Sequence, residues 1–129
     1  MASETHKPLI LFVDDDDRLR EAQGVLLKRA GYEVEEARNG FEALRALRAR
    51  PAAVMVCDMF MPEKDGLETI QALRREFPQT RVIAVSGGGL QGLVDVLRIA
   101  QLMGASEVLS KPFKPEALTD AIERLLALK

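Results

Sequence analysis

Five residues carry the chemistry open to this 129-residue chain, and each stands where a strand-like run ends. Asp14 and Asp15 follow LILFV, Asp58 follows AVMVC, Ser86 ends RVIAVS, and Lys111 follows EVLS. Three carboxylates converging on one crevice repel each other unless a cation lies among them. Magnesium suits an oxygen-only cluster of that kind, because it binds through one or two carboxylates, keeps several waters and accepts phosphate oxygens. A carboxylate that stays ionised beside such an ion is a nucleophile toward phosphorus, and the product is an aspartyl phosphate. The charge that develops needs a cation and a hydroxyl donor, and Lys111 and Ser86 are those groups. The set holds no second base to activate water and no aromatic cluster to line a pocket for an organic substrate. Phosphoryl acceptance fits it better than turnover of a metabolite.

Taken singly, each of these residues has an ordinary explanation. The run Asp14 to Asp17 suits a helix N-terminus, where Asp is favoured at the cap and first turn, and Asp16 and Asp17 fit that role. Asp58 alone could cap a loop, a Ser before Gly says little, and Lys111-Pro112 alone is a surface turn. GGGLQG, after the fourth strand-like run, lacks the Gly-Lys-Ser/Thr ending of a P-loop and the GxGxxG spacing of a dinucleotide site. The argument rests on the combination: an acid pair, an Asp, a Ser and a Lys, each at a strand exit and in that order.

The elements that must position them follow from the apolar pattern. LILFV (9–13), the run ending at Cys57-Asp58, and RVIAVS (81–86) are continuous apolar stretches of strand length, as expected of strands buried on both faces. YEVEEA (32–37) is diluted by Glu33, Glu35 and Glu36 and reads as a strand near the sheet edge; residues 107–110 form a short fifth strand. Helices are expected between them. The first places Leu19, Ala22, Leu26 and Ala30 on one face and stops at Gly31. The second, over 41–50, carries Ala43, Leu44 and Leu47, and the third carries Ile70, Leu73 and Phe77. A long apolar helix is expected over 90–103, and a last one over 115–128 with Pro at its first turn. Five strands alternating with five helices imply an α/β fold, doubly wound around a parallel sheet with right-handed crossovers. Ligands bind such sheets beyond the carboxyl ends of the strands.

Composition narrows the class further. At 47% hydrophobic and 29% charged, the chain is neither disordered nor membrane-bound in character, and its length suits one domain. No apolar run is long enough to span a bilayer, and the polar opening MASETHKP lacks the apolar core of a signal peptide. It reads as a short tail, 1–7, ahead of a domain over 8–129. One cysteine, Cys57, allows no internal disulfide and fits a reducing cytoplasm; next to Asp58 on a strand, it points to the opposite face and reads as a small core residue. A formal charge of −2 offers no basic footprint for nucleic acid, and one histidine with one cysteine leaves no ligand set for zinc.

VDDDDRLREA, VCDMFMPEKDG, AVSGG and LSKPF resemble the signature segments of response-regulator receiver domains of two-component signalling, across essentially the whole chain. The resemblance implies a flavodoxin-like sheet with strand order 2-1-3-4-5. By it, Asp58 matches the phosphoacceptor, and Asp14 and Asp15 match the acid pair that binds Mg2+ together with Asp58. Phe60 matches the residue whose main-chain carbonyl is a further metal ligand. Ser86 matches the hydroxyl residue that turns toward the phosphoryl group, Lys111 the lysine that pairs with it, and the Lys111-Pro112 bond a peptide that is commonly cis. The implied function is phosphoryl acceptance from a histidine kinase or phosphotransfer protein, in the cytoplasm, with no enzymatic turnover beyond assisting its own phosphorylation and dephosphorylation.

The sequence departs from the family pattern in its read-out. Val108 stands where many receivers carry a Tyr or Phe, and a valine has a stiff χ1 and no ring to swing. The stretch from Ser86 to Gly104 is longer than usual and opens on Gly87-Gly88-Gly89. The helix over 90–103 is apolar beyond one face, with Val96, Ile99, Leu102 and Met103 opposite the core stripe. That width suits a downstream protein partner or a homodimer contact, against the alternative of a helix packed on two sides within the domain. Competing functions are a phosphate shuttle or sink without an output of its own, a degenerate receiver used only for contact, and a metal-dependent aspartyl-phosphate phosphohydrolase. The last would want an acid two residues after the nucleophile, where this chain has Phe60.

Overall fold

The apolar runs become five parallel strands in the order 2-1-3-4-5, so the three continuous apolar runs lie in the interior and the Glu-rich one at an edge. This is a computed structural model, and it describes residues 7–59, 66–86, 98, 101 and 104–128. In chain order the elements are β1 (Leu9–Val13), α1 (Asp17–Arg29), β2 (Glu33–Ala37), α2 (Gly40–Ala49), β3 (Val54–Asp58), α3 (Gly66–Glu76), β4 (Arg81–Ser86), β5 (Glu107–Ser110) and α4 (Pro115–Leu126). Four helices, not the expected five, stand among the described residues. The helix expected over 90–103 falls almost wholly outside them, with Arg98 and Gln101 helical. The partner face read from that helix, and the triple glycine before it, lie outside the described residues as well. So does the tail expected over 1–7, apart from Lys7. α4 ends at Leu126 rather than Leu128.

Side chains of a strand alternate between faces, and here that alternation sorts the core into two layers. Leu11, Val13, Met55, Cys57, Val82 and Ala84 pack with α2 and α3 through Leu44, Leu47, Ile70 and Leu73. Ile10, Phe12, Val54, Val56, Ile83 and Val85 pack with α1 and α4 through Leu27, Leu118, Ile122 and Leu125. Cys57 therefore lies in the first layer, fully buried, as a small core residue.

Register carries this packing to the site. Val13 pairs with Cys57, Asp58 with Val85, and Ser86 with Ser110. One step past Val13 and Cys57, β1 and β3 each release an aspartate side by side, and one step past Ser110 comes Lys111. The chemistry is thus set by two central strands whose apolar bodies are completely enclosed.

The first helix differs from its expected packing. Its buried residues are Arg20, Gln23, Gly24 and Leu27, whereas Ala22 and Ala30 are exposed and Leu19 and Leu26 only half-buried. The helix is turned so that an arginine and a glutamine face inward, burying their aliphatic stems. The cause is polar: the Asp14 carbonyl at the exit of β1 and the Glu36 carboxylate on β2 are acceptors that Arg20 satisfies. Gly31, at φ +102, ends the helix as expected.

The observed orientation predicts that Leu27→Ala, removing a side chain 1% exposed, destabilises the protein by ~2–5 kcal/mol. Val25→Ala, at a position 49% exposed, changes stability by about 0.5 kcal/mol or less. Urea titrations of the two variants check this, and equal losses would contradict the orientation.

Candidate functional site

Asp14 is held at several points of the carboxyl edge. It is buried, and its N–H donates to the Ala37 carbonyl at 3.1 Å, prolonging the β1–β2 ladder. Its Oδ1 accepts from the Asp16 N–H at 2.9 Å and its Oδ2 from the Lys111 ammonium at 2.8 Å. Asp58, also buried, brings its Oδ2 to 3.4 Å from the same ammonium. Asp15 is exposed, yet one oxygen from each of Asp14, Asp15 and Asp58 lies within 4.8 Å of the others.

The four consecutive acids divide their work. Asp14 and Asp15 face the crevice, while Asp16 is the N-cap of α1, its Oδ1 accepting from the Arg18 and Leu19 N–H groups. Asp17 lies in the first turn and pairs with Arg20 at 2.6 Å. The capping role expected of Asp16 and the first-turn position expected of Asp17 are thus both present, next to the crevice role expected of the pair before them.

Lys111 reaches the acids from the far side of β4. Its N–H donates to the Ser86 carbonyl at 2.8 Å, and the Lys111-Pro112 bond is cis. Burial alone would lower the ammonium's pKa, but the hydrogen bond to Asp14 and the charges of Asp58 and Asp14 outweigh it and raise it above the ordinary lysine value. The group therefore stays charged at neutral pH. Ser86 is fully buried at the same edge, and its Oγ has no hydrogen-bond partner among the described residues. Phe60 lies outside the described residues. Val108 is half-buried, packed against the α2–α3 layer and paired with Ala84.

Arg20 is the side chain at this edge that sequence patterning missed. Its side chain is 9% exposed and its guanidinium serves three acceptors: Nη1 donates to the Asp14 carbonyl at 2.8 Å, Nε to Glu36 Oε1 at 3.0 Å, and Nη2 to Asp17 Oδ1 at 2.6 Å. Burial opposes its charge, but Asp17 and Glu36 more than compensate and hold its pKa above the usual arginine value. The available signal was an arginine three residues after the last of four acids, at the spacing of a helical ion pair.

A hard cation fits this donor set. All the contributing atoms are carboxylate oxygens, they are already gathered, and one lysine offsets only part of the charge of three acids.

The site and fold agree with known proteins. The response regulator receiver domain family matches residues 10–123, and the chain belongs to that family, a component of two-component signalling. The transcriptional regulatory protein SrrA of Staphylococcus aureus (strain NCTC 8325 / PS 47) is 33% identical over 118 residues, covering 91% of this chain and 47% of that protein. The chain thus spans about half the length of that relative. Among solved structures, the receiver domain of NtrX from Brucella abortus superposes with a TM-score of 0.87 at 28% identity, over 93% of this chain and 99% of that one. A response regulator receiver domain protein from Clostridium thermocellum gives 0.85 at 29% identity, over 92% and 94%. No helix among the described residues is long and apolar enough to cross a membrane.

An unpartnered buried hydroxyl contributes nothing in hydrogen bonding and carries a desolvation cost. Ser86→Ala is accordingly expected to leave stability unchanged or raise it, by no more than about 1 kcal/mol. Thermal or denaturant unfolding without phosphodonor checks this; a loss above roughly 2 kcal/mol would mean that the hydroxyl is bonded in the resting protein.

Proposed function

We propose that Asp58 accepts a phosphoryl group from a phosphohistidine on a kinase or phosphotransfer protein, in a Mg2+-dependent reaction that alters how another protein reads this domain. The observation that carries the reading is the gathering of Asp14, Asp15 and Asp58 oxygens within 4.8 Å, next to the Lys111 ammonium. Family membership supports the class of donor. Asp14, Asp15 and Asp58, with the main-chain carbonyl of Phe60, would hold the ion. When bound, Mg2+ supplies positive charge for the phosphoryl oxygens.

In the transfer, an Asp58 carboxylate oxygen attacks phosphorus as the phosphorus–nitrogen bond of the donor breaks. The ring nitrogen leaves with the electron pair, and a solvent proton completes the neutral imidazole. Asp58 then no longer carries a free carboxylate charge, and the phosphoryl group brings about −1.5 to −2 in its place. Lys111, now shared between Asp14 and Asp58, pairs with a phosphoryl oxygen. Ser86, whose hydroxyl has no partner among the described residues, gains an acceptor.

These contacts set the size of the response. Moving a two-state equilibrium from 1:99 to 99:1 takes about 5.5 kcal/mol. Two charge-assisted hydrogen bonds at ~1.5–3 kcal/mol each reach that only at their upper limit. Phosphorylation alone therefore shifts the domain incompletely, and a binding partner completes the change.

Incubation with acetyl phosphate, with and without Mg2+, tests the reading. The native chain is expected to gain one phosphoryl group by intact mass only when Mg2+ is present, and Asp58→Asn to gain none. Equal labelling of Asp58→Asn, or labelling indifferent to Mg2+, would remove the assignment.

A further inference from the structure

The Asp15 carboxylate poses a positioning problem. It is exposed, and no hydrogen bond or ion pair holds its side chain among the described residues, yet it shares the oxygen cluster with Asp14 and Asp58. Among the described residues, its place is set through the backbone. The peptide unit joining Asp14 to Asp15 is planar and rigid, so whatever fixes the Asp14 carbonyl also fixes the Cα from which the Asp15 carboxylate departs. Arg20 Nη1 donates to that carbonyl at 2.8 Å.

We propose that Arg20 is a positioning residue of the cation site, holding the Asp14–Asp15 peptide so that the Asp15 carboxylate meets those of Asp14 and Asp58. The inference rests on the reading of that cluster as a Mg2+ site. Three features make Arg20 suited to the task. Its guanidinium is a planar fork with donors in fixed directions, which a lysine cannot reproduce. Its other two arms are anchored, one to Asp17 on its own helix and one to Glu36 on β2. The Glu36 carboxylate in turn lies against Gly24, where a Cβ would stand 3.3 Å from its Oε2, so the glycine leaves room for the anchor. The Asp14 residue is consequently gripped on both sides, its N–H by the Ala37 carbonyl of β2 and its carbonyl by Arg20.

The sign of the effect separates positioning from simple charge. A guanidinium near a cation site repels the ion, so a purely electrostatic role means that Arg20→Met binds Mg2+ more tightly and Arg20→Lys binds it as the native chain does. Positioning means the reverse: both variants bind more weakly. Partners that orient metal ligands typically account for 10–100-fold in affinity, and a loss of about tenfold or more is expected for each variant.

The test is isothermal titration of Mg2+ into the full chain and the two variants, with circular-dichroism melts and amide exchange at Asp16, whose N–H is bonded to Asp14 Oδ1. Weakened Mg2+ binding and faster Asp16 exchange in a still-folded Arg20→Lys support the proposal, and that variant decides the matter should Arg20→Met fail to fold. Mg2+ affinity unchanged in Arg20→Lys, or tightened in Arg20→Met, overturns it while leaving the proposed function standing. A native chain that binds no Mg2+ overturns both.

Discussion

One ammonium among three carboxylates is the constraint on which the carboxyl edge depends. Two like charges about 4 Å apart repel by roughly 4 kcal/mol at the effective dielectric found near a protein surface. Lys111 bridges two of the acids, at 2.8 Å to Asp14 and 3.4 Å to Asp58, and leaves the cluster as a whole short of positive charge. Such an arrangement persists only on a rigid support. β1 and β3 are that support: adjacent, parallel and buried along their whole length, they fix the exit of two aspartates by register. A charge deficit held on a rigid frame is what a divalent cation and an incoming phosphoryl donor can use.

Around that frame, the start of α1 acts as a second brace. Capping by Asp16 and the pairing of Asp17 with Arg20 tie the helix to the loop that carries the acids. Through Glu36 the same arginine reaches the edge strand β2. The acid run is therefore more than a helix N-terminus, because Asp16 and Asp17 start the helix while Asp14 and Asp15 join the carboxylate cluster with Asp58. A surface ion pair contributes little by itself, but the Arg20 side chain is 9% exposed, and its worth lies mainly in satisfying the Asp14 carbonyl through a buried hydrogen bond.

Much of this was legible in the residues. Buried parallel strands read as continuous apolar runs, which is why LILFV, VMVC and VIAV located the sheet's centre, and why EVEEA marked its edge. Asp14, Asp15, Asp58 and Lys111 were legible because each stands at a strand exit, where topology alone brings them to one rim. Arg20 and the inward face of α1 were not. Apolar periodicity pointed to Leu19, Ala22, Leu26 and Ala30, but the rotation of the helix is decided by acceptors on another element, the Asp14 carbonyl and Glu36, and no pattern within the helix records them. That the Ser86 hydroxyl has no partner among the described residues was equally invisible, since a Ser at a strand end looks the same whether bonded or not.

The read-out departs from the family pattern at Val108, half-buried against the α2–α3 layer where many receivers carry an aromatic ring. On the proposed reading, with no ring to swing, a response to phosphorylation would begin at Ser86 and Lys111 themselves. The most direct measurement is a crystal structure of the chain with Mg2+ and beryllofluoride. The account predicts the ion against Asp14, Asp15 and Asp58, beryllium on an Asp58 oxygen, and both the Lys111 ammonium and the Ser86 hydroxyl on its fluorides. An ion bound elsewhere, or an Asp58 left bare with Lys111 still shared between Asp14 and Asp58, would contradict it.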